Sequence, residues 1–351
     1  MKNRYSLHFI LIVICYFTFF SCNNNQNQIA RRRTIFGMVD IDTISSSHDI
    51  TFELLDDEFL TDEYPPVVGI AFGGGGAKAA AEIGVLKIIE KAGIKVGFVS
   101  GSSMGAVVGG LYAAGYSAKE LDSLFLTEEW LSLFERSEIG VVSSQTRTIF
   151  GLIKGDVFEE YLSKALLKKG CKNIEDTQFV TGIKFACTAT NIVTKEDIAE
   201  VVLKEGDINM AKAIRASMTY PAPIVGFSPV SLDGMLLVDG GMLNNLPVDV
   251  VKDMGAKKTI AIDLESDRKN EHIISLGGLL KLGWLGNWLL DQNGNSKHNR
   301  NLDLADIKIL PRLSGYSILD FDEIELREMM TLGEDEAKTY HWEELVNLND
   351  Y

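Results

Sequence analysis

Between Val67 and Glu265 this sequence has no histidine; the five it contains are His8, His48, His272, His298 and His341. A hydroxyl nucleophile needs a base to take its proton, and histidine is the usual one. A Ser-His-Asp triad within that stretch is therefore poorly supported, unless a late histidine folds back. Cysteine is scarce as well, with four in 351 residues. Beyond the N-terminal segment only Cys171 and Cys187 remain, too few for a disulfide framework and expected as buried free thiols. No C-x-x-C or H-E-x-x-H spacing occurs, so no metal site is expected. Basic residues number 34 against 49 acidic ones, a formal net charge of −15. That balance argues against nucleic acid as a partner and gives no help in binding anionic lipid. Internal repeats are lacking too. What is present is ordinary for a globular protein: 46% hydrophobic and 24% charged residues, in a chain long enough for one large domain or two small ones.

The N-terminal segment supplies a route to a membrane that bulk charge does not. Lys2 and Arg4 precede an apolar stretch, Leu7 to Phe20, which is short for a membrane span and suited to a signal peptide. Phe19-Phe20-Ser21-Cys22 and the Asn/Gln run after it resemble a bacterial lipoprotein processing site, with Phe19 where that family has an aliphatic residue. The resemblance implies residues 1–21 as a removed signal, Cys22 as the lipidated N-terminus, and residues 22–66 as tether and approach segment. Acyl chains would anchor the protein at about 0.8 kcal/mol per buried CH₂. The expected location is the bacterial cell envelope; a plain signal peptide would instead give a secreted or periplasmic protein.

From Val67 the pattern changes. Val67 to Phe72 reads as a buried strand, followed by Gly73-Gly74-Gly75-Gly76-Ala77-Lys78 and a helix with Ile83, Leu86 and Ile89 on one face. A second unit repeats the scheme with a strand over 96–100, the turn Gly101-Ser102-Ser103-Met104-Gly105, and a helix over 106–114. Two successive strand–turn–helix units predict an α/β fold with a mainly parallel sheet. Helices are expected over Ala118–Leu126 and Asp156–Leu167, with 138–155 less regular. Strands are expected over Ile183–Asn191 and Asp197–Leu203, and Asp207 is read as the cap of a helix through Ala216. Leu236-Leu237-Val238 is a short strand ending on Asp239-Gly240-Gly241. A helix over Val248–Met254 and a strand over Thr259–Leu264 follow. Residues 266–301 read as an inserted flap: Ile274 to Leu290 is apolar with Trp284 and Trp288, broken by four glycines, and Asp291 to Asn301 is polar. A satellite helix on the core is the alternative.

Three constellations carry chemistry. In the strand–turn–helix context, G-x-S-x-G lifts its central hydroxyl, Ser103, to a helix N-terminus at the top of a sheet; the bland alternative is a serine that only caps the helix. Asp239 is placed just after a strand, where the loops of a parallel sheet converge, and Gly240-Gly241 leaves room around its carboxylate. To serve as a base it must be made more basic than its reference pKa of about 3.9, which partial burial achieves. Gly73 to Gly76 supplies unhindered backbone N–H groups suited to an oxyanion. A phosphate loop fits less well, because Lys78 is followed by Ala79 and the P-loop spacing fails. A dinucleotide loop fails on the third glycine and on the acid about 20 residues beyond.

These motifs together resemble those of bacterial patatin-like phospholipases: Gly73–Lys78 through Ile83-Gly84-Val85-Leu86; Gly101–Gly105; and Val238-Asp239-Gly240-Gly241 followed by Asn244 to Val248. Cys187–Asn191, Tyr220–Pro223 and Ala305–Phe321 are similar as well. The resemblance covers about residues 67–340 apart from 266–301. It implies a three-layer α/β/α fold in a catalytic domain over 67–345. It also implies a Ser-Asp dyad of Ser103 and Asp239, an oxyanion site framed by Gly74, Gly75 and Gly76, and no cofactor. The implied reaction is hydrolysis of lipid acyl esters through an acyl-serine, with membrane lipids or lysophospholipids as substrates. Acyl transfer by the same dyad, or a degenerate lipid-binding module, are the alternatives. The sequence departs from the family at Lys78, where arginine is common, at Ala79, where glycine is, and at Glu82, where histidine is. Lys78 keeps the charge without the bidentate fork.

Overall fold

The computed structural model describes residues 68–134, 155–193, 198–220, 228–265 and 293–346. The expected signal, Cys22, the approach segment, nearly all of the interval 138–155, Pro221-Ala222-Pro223 and the stretch 274–290 lie outside the described residues.

In chain order, β1 (Val68–Phe72) runs into a 3-10 turn, Gly76–Ala79, and α1 (Ala80–Lys91). β2 (Val96–Gly101) leads to α2 (Met104–Ala113), then α3 (Ala118–Phe125) and α4 (Glu128–Ser132). α5 (Gly155–Lys168) and α6 (Asp176–Thr181) precede β3 (Lys184–Asn191) and β4 (Ala199–Leu203). Next come α7 (Met210–Ser217), β5 (Val230–Leu232), β6 (Met235–Asp239), a 3-10 turn at Gly240–Met242, and α8 (Val248–Asp253). β7 (Lys258–Ile262), α9 (Asn293–Leu304), β8 (Ile307–Ile309), α10 (Glu323–Ala337) and α11 (Glu343–Val346) are the last of the described elements.

The eight strands form one sheet in the order β5-β6-β3-β2-β1-β7-β8, with β4 also on β3. β1 pairs in parallel with both β2 and β7, β2 with β3, and β7 with β8. Central parallel strands are covered on both faces, which is why β1 is apolar throughout. Its alternation still sorts side chains by size. Val68, Ile70 and Phe72 join the large core with α1, α2 and α7, whereas Ala71, with Ala261 of β7, joins a smaller core with Val248 and Val251 of α8. Sheet and two covering layers give the α/β/α arrangement. Two expectations shift locally. The cap of α7 is Asn209, whose side chain accepts from the Lys212 amide, so Asp207 lies too early. The polar end of the expected flap folds from Asn293 as α9. Its Asn301 is buried and donates to Asn244 Oδ1 and the Leu246 carbonyl, and Lys297 pairs with Glu200 and Asp249.

The remaining strands run antiparallel. Asp233 and Gly234 both have positive φ, 48° and 79°, the signature of a tight two-residue hairpin between β5 and β6. β6 in turn pairs antiparallel with β3. Cys187 of β3 pairs with Gly101 of β2 on one side and Leu203 of β4 on the other. Two residues on, Ala189 pairs with Val201 of β4 and with Asp239 of β6. β2 and β6 therefore share one side of β3 and run toward each other, their ends meeting about 7 Å apart along it.

Candidate active site

The head-on meeting of β2 and β6 brings Ser103 to Asp239. The expected placement of Asp239, at the mouth of a parallel strand, is corrected in this respect: the aspartate ends a strand that arrives from the opposite direction. Ser103 sits at φ 51°, ψ −128°, a region that costs a non-glycine residue on the order of 1–3 kcal/mol. Its surroundings hold it there. The Ser102 amide donates to the Phe72 carbonyl at 3.2 Å, and the Ser103 amide donates to Ser217 Oγ at 3.0 Å. Gly101 and Gly105 let the elbow close: a Cβ on Gly101 would lie 2.6 Å from the Ala106 backbone, and one on Gly105 would lie 2.5 Å from the Gly73 carbonyl.

Ser103 Oγ donates directly to Asp239 Oδ2 at 2.7 Å, with no histidine between them. Asp239 Oδ1 accepts from the Gly241 amide at 2.7 Å, its own amide donates to the Thr219 carbonyl, and its carbonyl accepts from Thr190 Oγ1. Gly240 lies against the Thr188 backbone. Asp239 is only 4% exposed. Burial pushes its pKa up to about 6, against the opposing hydrogen bonds from Ser103 and Gly241, with Glu265 adding to the rise. The basicity expected from burial is thus present, and Ser103 itself stays half-buried and reachable.

The glycine loop lies alongside. Gly73 donates to the Ile262 carbonyl and Gly74 to the Asn245 carbonyl at 3.0 Å, while Ala77 donates to the Ile318 carbonyl. Among the described residues, the amides of Gly75 and Gly76 have no protein acceptor. Gly74 therefore frames the loop with its own N–H engaged by Asn245. The Lys78 amide closes the turn on the Gly75 carbonyl at 3.2 Å, and its side chain is half-buried. Ala79 takes ordinary helical angles, φ −62°, so the missing third glycine is accommodated. Glu82 is wholly buried, and burial holds its pKa well above the carboxylate range, against an opposing interaction with the Gly73 backbone.

The late histidine does fold back, to a different acid: His298 Nε2 lies 3.2 Å from Asp263 Oδ2. His341 is exposed near the C-terminus. Cys171 and Cys187 are buried free thiols; burial raises the first to about 11 and the second further still. Sequence reasoning assigned no role to Ser217, Thr190, Thr219 or Asn245. Thr190 and Asn245 lie within the stretches that resemble the family, Cys187–Asn191 and Asn244 to Val248, whereas Ser217 and Thr219 carry no motif of their own.

A serine on a strained elbow, hydrogen-bonded to a buried aspartate over a mostly parallel sheet, marks the class of α/β folds built around a serine elbow. Within that class the chain belongs to the patatin-like phospholipase family, whose model matches residues 70–252, more than half of it. Patatin-like phospholipase domain-containing protein 6 of Mus musculus is 32% identical over 226 residues, 64% of this chain and 15% of that protein. Lysophospholipase NTE1 of Scheffersomyces stipitis is 31% identical over 251 residues, 69% of this chain and 14% of that protein. The chain thus spans about one-seventh of the length of these curated relatives. The crystal structure of VipD from Legionella pneumophila superposes with a TM-score of 0.51 at 15% identity, covering 81% of this chain and 67% of VipD. That likeness bears on the fold.

Proposed function

We propose that this protein is a lipid acyl hydrolase of phospholipase A or lysophospholipase type, working through Ser103 and Asp239. The observation that carries the reading is the 2.7 Å hydrogen bond from Ser103 Oγ to Asp239 Oδ2. A serine whose hydroxyl donates to a carboxylate raised to about 6 has a base matched to near-neutral pH. Ser103 Oγ attacks the ester carbonyl as its proton passes to Asp239. The resulting oxyanion is met by the Gly75 and Gly76 amides. Collapse expels the lysolipid or glycerophospho-alcohol, which takes the proton from Asp239. Water then attacks the acyl-serine, gives its proton to Asp239, and frees the fatty acid as Ser103 Oγ is reprotonated. Family membership, and relatives whose names say phospholipase and lysophospholipase, support the substrate class. The motifs at the N-terminus support attachment to a membrane of the bacterial cell envelope through Cys22.

A fluorophosphonate probe tests the nucleophile. Wild type is expected to be labelled, and Ser103→Ala not. Equal labelling of both, or no labelling of folded wild type, would contradict the reading.

A further inference from the structure

Asn245 touches both halves of the site without belonging to either. Its backbone carbonyl accepts from the Gly74 amide at 3.0 Å, and its side-chain Nδ2 donates to the Gly74 carbonyl at 3.0 Å. Both polar groups of one glycine are thus held by one residue. The side-chain oxygen lies against two Cα positions: a Cβ built on Gly74 or on Gly241 would run into Asn245 Oδ1. Gly74 is also the loop residue beside the serine, since its Cβ would lie 3.0 Å from Ser103 Cβ. Gly241 belongs to the turn that donates to Asp239 Oδ1.

A trans peptide is planar, with its C=O and N–H on opposite edges. Fixing the Gly74 carbonyl on Asn245 therefore fixes the Gly75 N–H on the opposite edge. Gly75 is one of the two loop amides without a protein acceptor among the described residues. Glycine backbones are otherwise free to rotate, so a run of four has no intrinsic preference for this orientation.

We propose that Asn245 is a positioning residue that sets the Gly75 N–H as an oxyanion donor and ties the glycine loop to the Asp239 turn. This rests on the reading of Ser103 as the nucleophile. Oxyanion donors act only if oriented before the charge develops, and losing one costs about 100-fold or more in kcat. Asn245→Leu and Asn245→Asp keep the side chain's size but cannot donate to the Gly74 carbonyl.

The test compares turnover of a short-chain aryl ester with that of its thionoester, in which sulfur replaces the carbonyl oxygen and accepts hydrogen bonds weakly. In both variants kcat for the ester is expected to fall about 100-fold with KM within about twofold. The ester-to-thionoester rate ratio should fall at least tenfold, because the lost term acts on oxygen. The ratio is a property of each active molecule, so it reads out even from a partly folded preparation. A general loss of folding would lower both rates equally and leave the ratio unchanged, and an unchanged ratio overturns the proposal. Wild type without ester turnover would overturn the nucleophile reading as well, so the two failures are distinguishable.

Discussion

At neutral pH the ionised Asp239 is held against its own burial, and that tension has a sign that can be measured. Its folded pKa of about 6 exceeds the ordinary value of 3.8. Between those values the folded chain keeps a proton that the unfolded chain has released, so stability falls as pH rises from about 4 to about 6 and then levels. The full cost is about 3 kcal/mol above pH 6. Asp239→Asn removes the charge and can retain the acceptor for Gly241. It is expected to raise stability to denaturant by about 2–3 kcal/mol at pH 8 and to give little gain at pH 4. The same residue sets the activity profile. As a base Asp239 must be ionised, so kcat/KM for wild type is expected to drop below about pH 6, tenfold per unit. An acid limb near pH 7 in a profile unaffected by Asp239→Asn would point to a histidine base.

At the scale of elements, α1 and α10 cross where each presents a glycine. A Cβ on Gly84 would meet the Met330 carbonyl, and one on Gly333 would meet the Ala81 carbonyl. Backbone atoms cannot give way as a flexible side chain can. Gly333→Ala is therefore expected to destabilise by about 3 kcal/mol or more, read from urea or thermal unfolding, although the residue lies outside the active site. α1 starts directly from the glycine loop, so activity should fall with folding and not before it.

Much of this architecture was legible in the sequence. β1, β2, α1 and α2 match their apolar runs to within two residues, because central parallel strands and amphipathic helices declare themselves by period. Ser103 and Asp239 were legible because the glycines on either side of the serine and the pair that follows the aspartate advertise turns that bring backbone close. The direction of β6 was not, although Asp233-Gly234 is a recognisable hairpin signal; a short strand reads the same both ways unless its turn is read with it. Asn209 displaced Asp207 as the cap because α7 starts two residues later than the acid suggests. The roles of Asn245, Ser217 and Thr190 were invisible for a different reason. Their partners are 171, 114 and 49 residues away in sequence, so only the fold reveals them.

On the scale of the whole molecule, a chain of net charge −15 receives no electrostatic help at an anionic bilayer. Approach to lipid then depends on hydrophobic attachment, and Cys22 is the residue proposed for it. Cys22→Ala is expected to move most of the protein from the membrane pellet to the soluble fraction while leaving turnover of a micellar substrate unchanged. Continued sedimentation with membranes would instead assign attachment to the apolar stretch 274–290 or to an uncleaved N-terminal segment. The sheet's two faces are unequal in the same economy of packing. Bulky side chains build the core under α1, α2 and α7, and small ones let α8 approach the other face closely.

The central claim is that Ser103 and Asp239 together hydrolyse a lipid ester without a histidine. Fatty acid released from a lysophospholipid tests it most directly, measured for wild type, Ser103→Ala and Asp239→Asn at matched folded concentration. The expected result is steady release by wild type and a loss of about 1,000-fold or more in each variant. Release by Ser103→Ala at a rate near that of wild type, or by Asp239→Asn within about tenfold of it, would contradict the dyad.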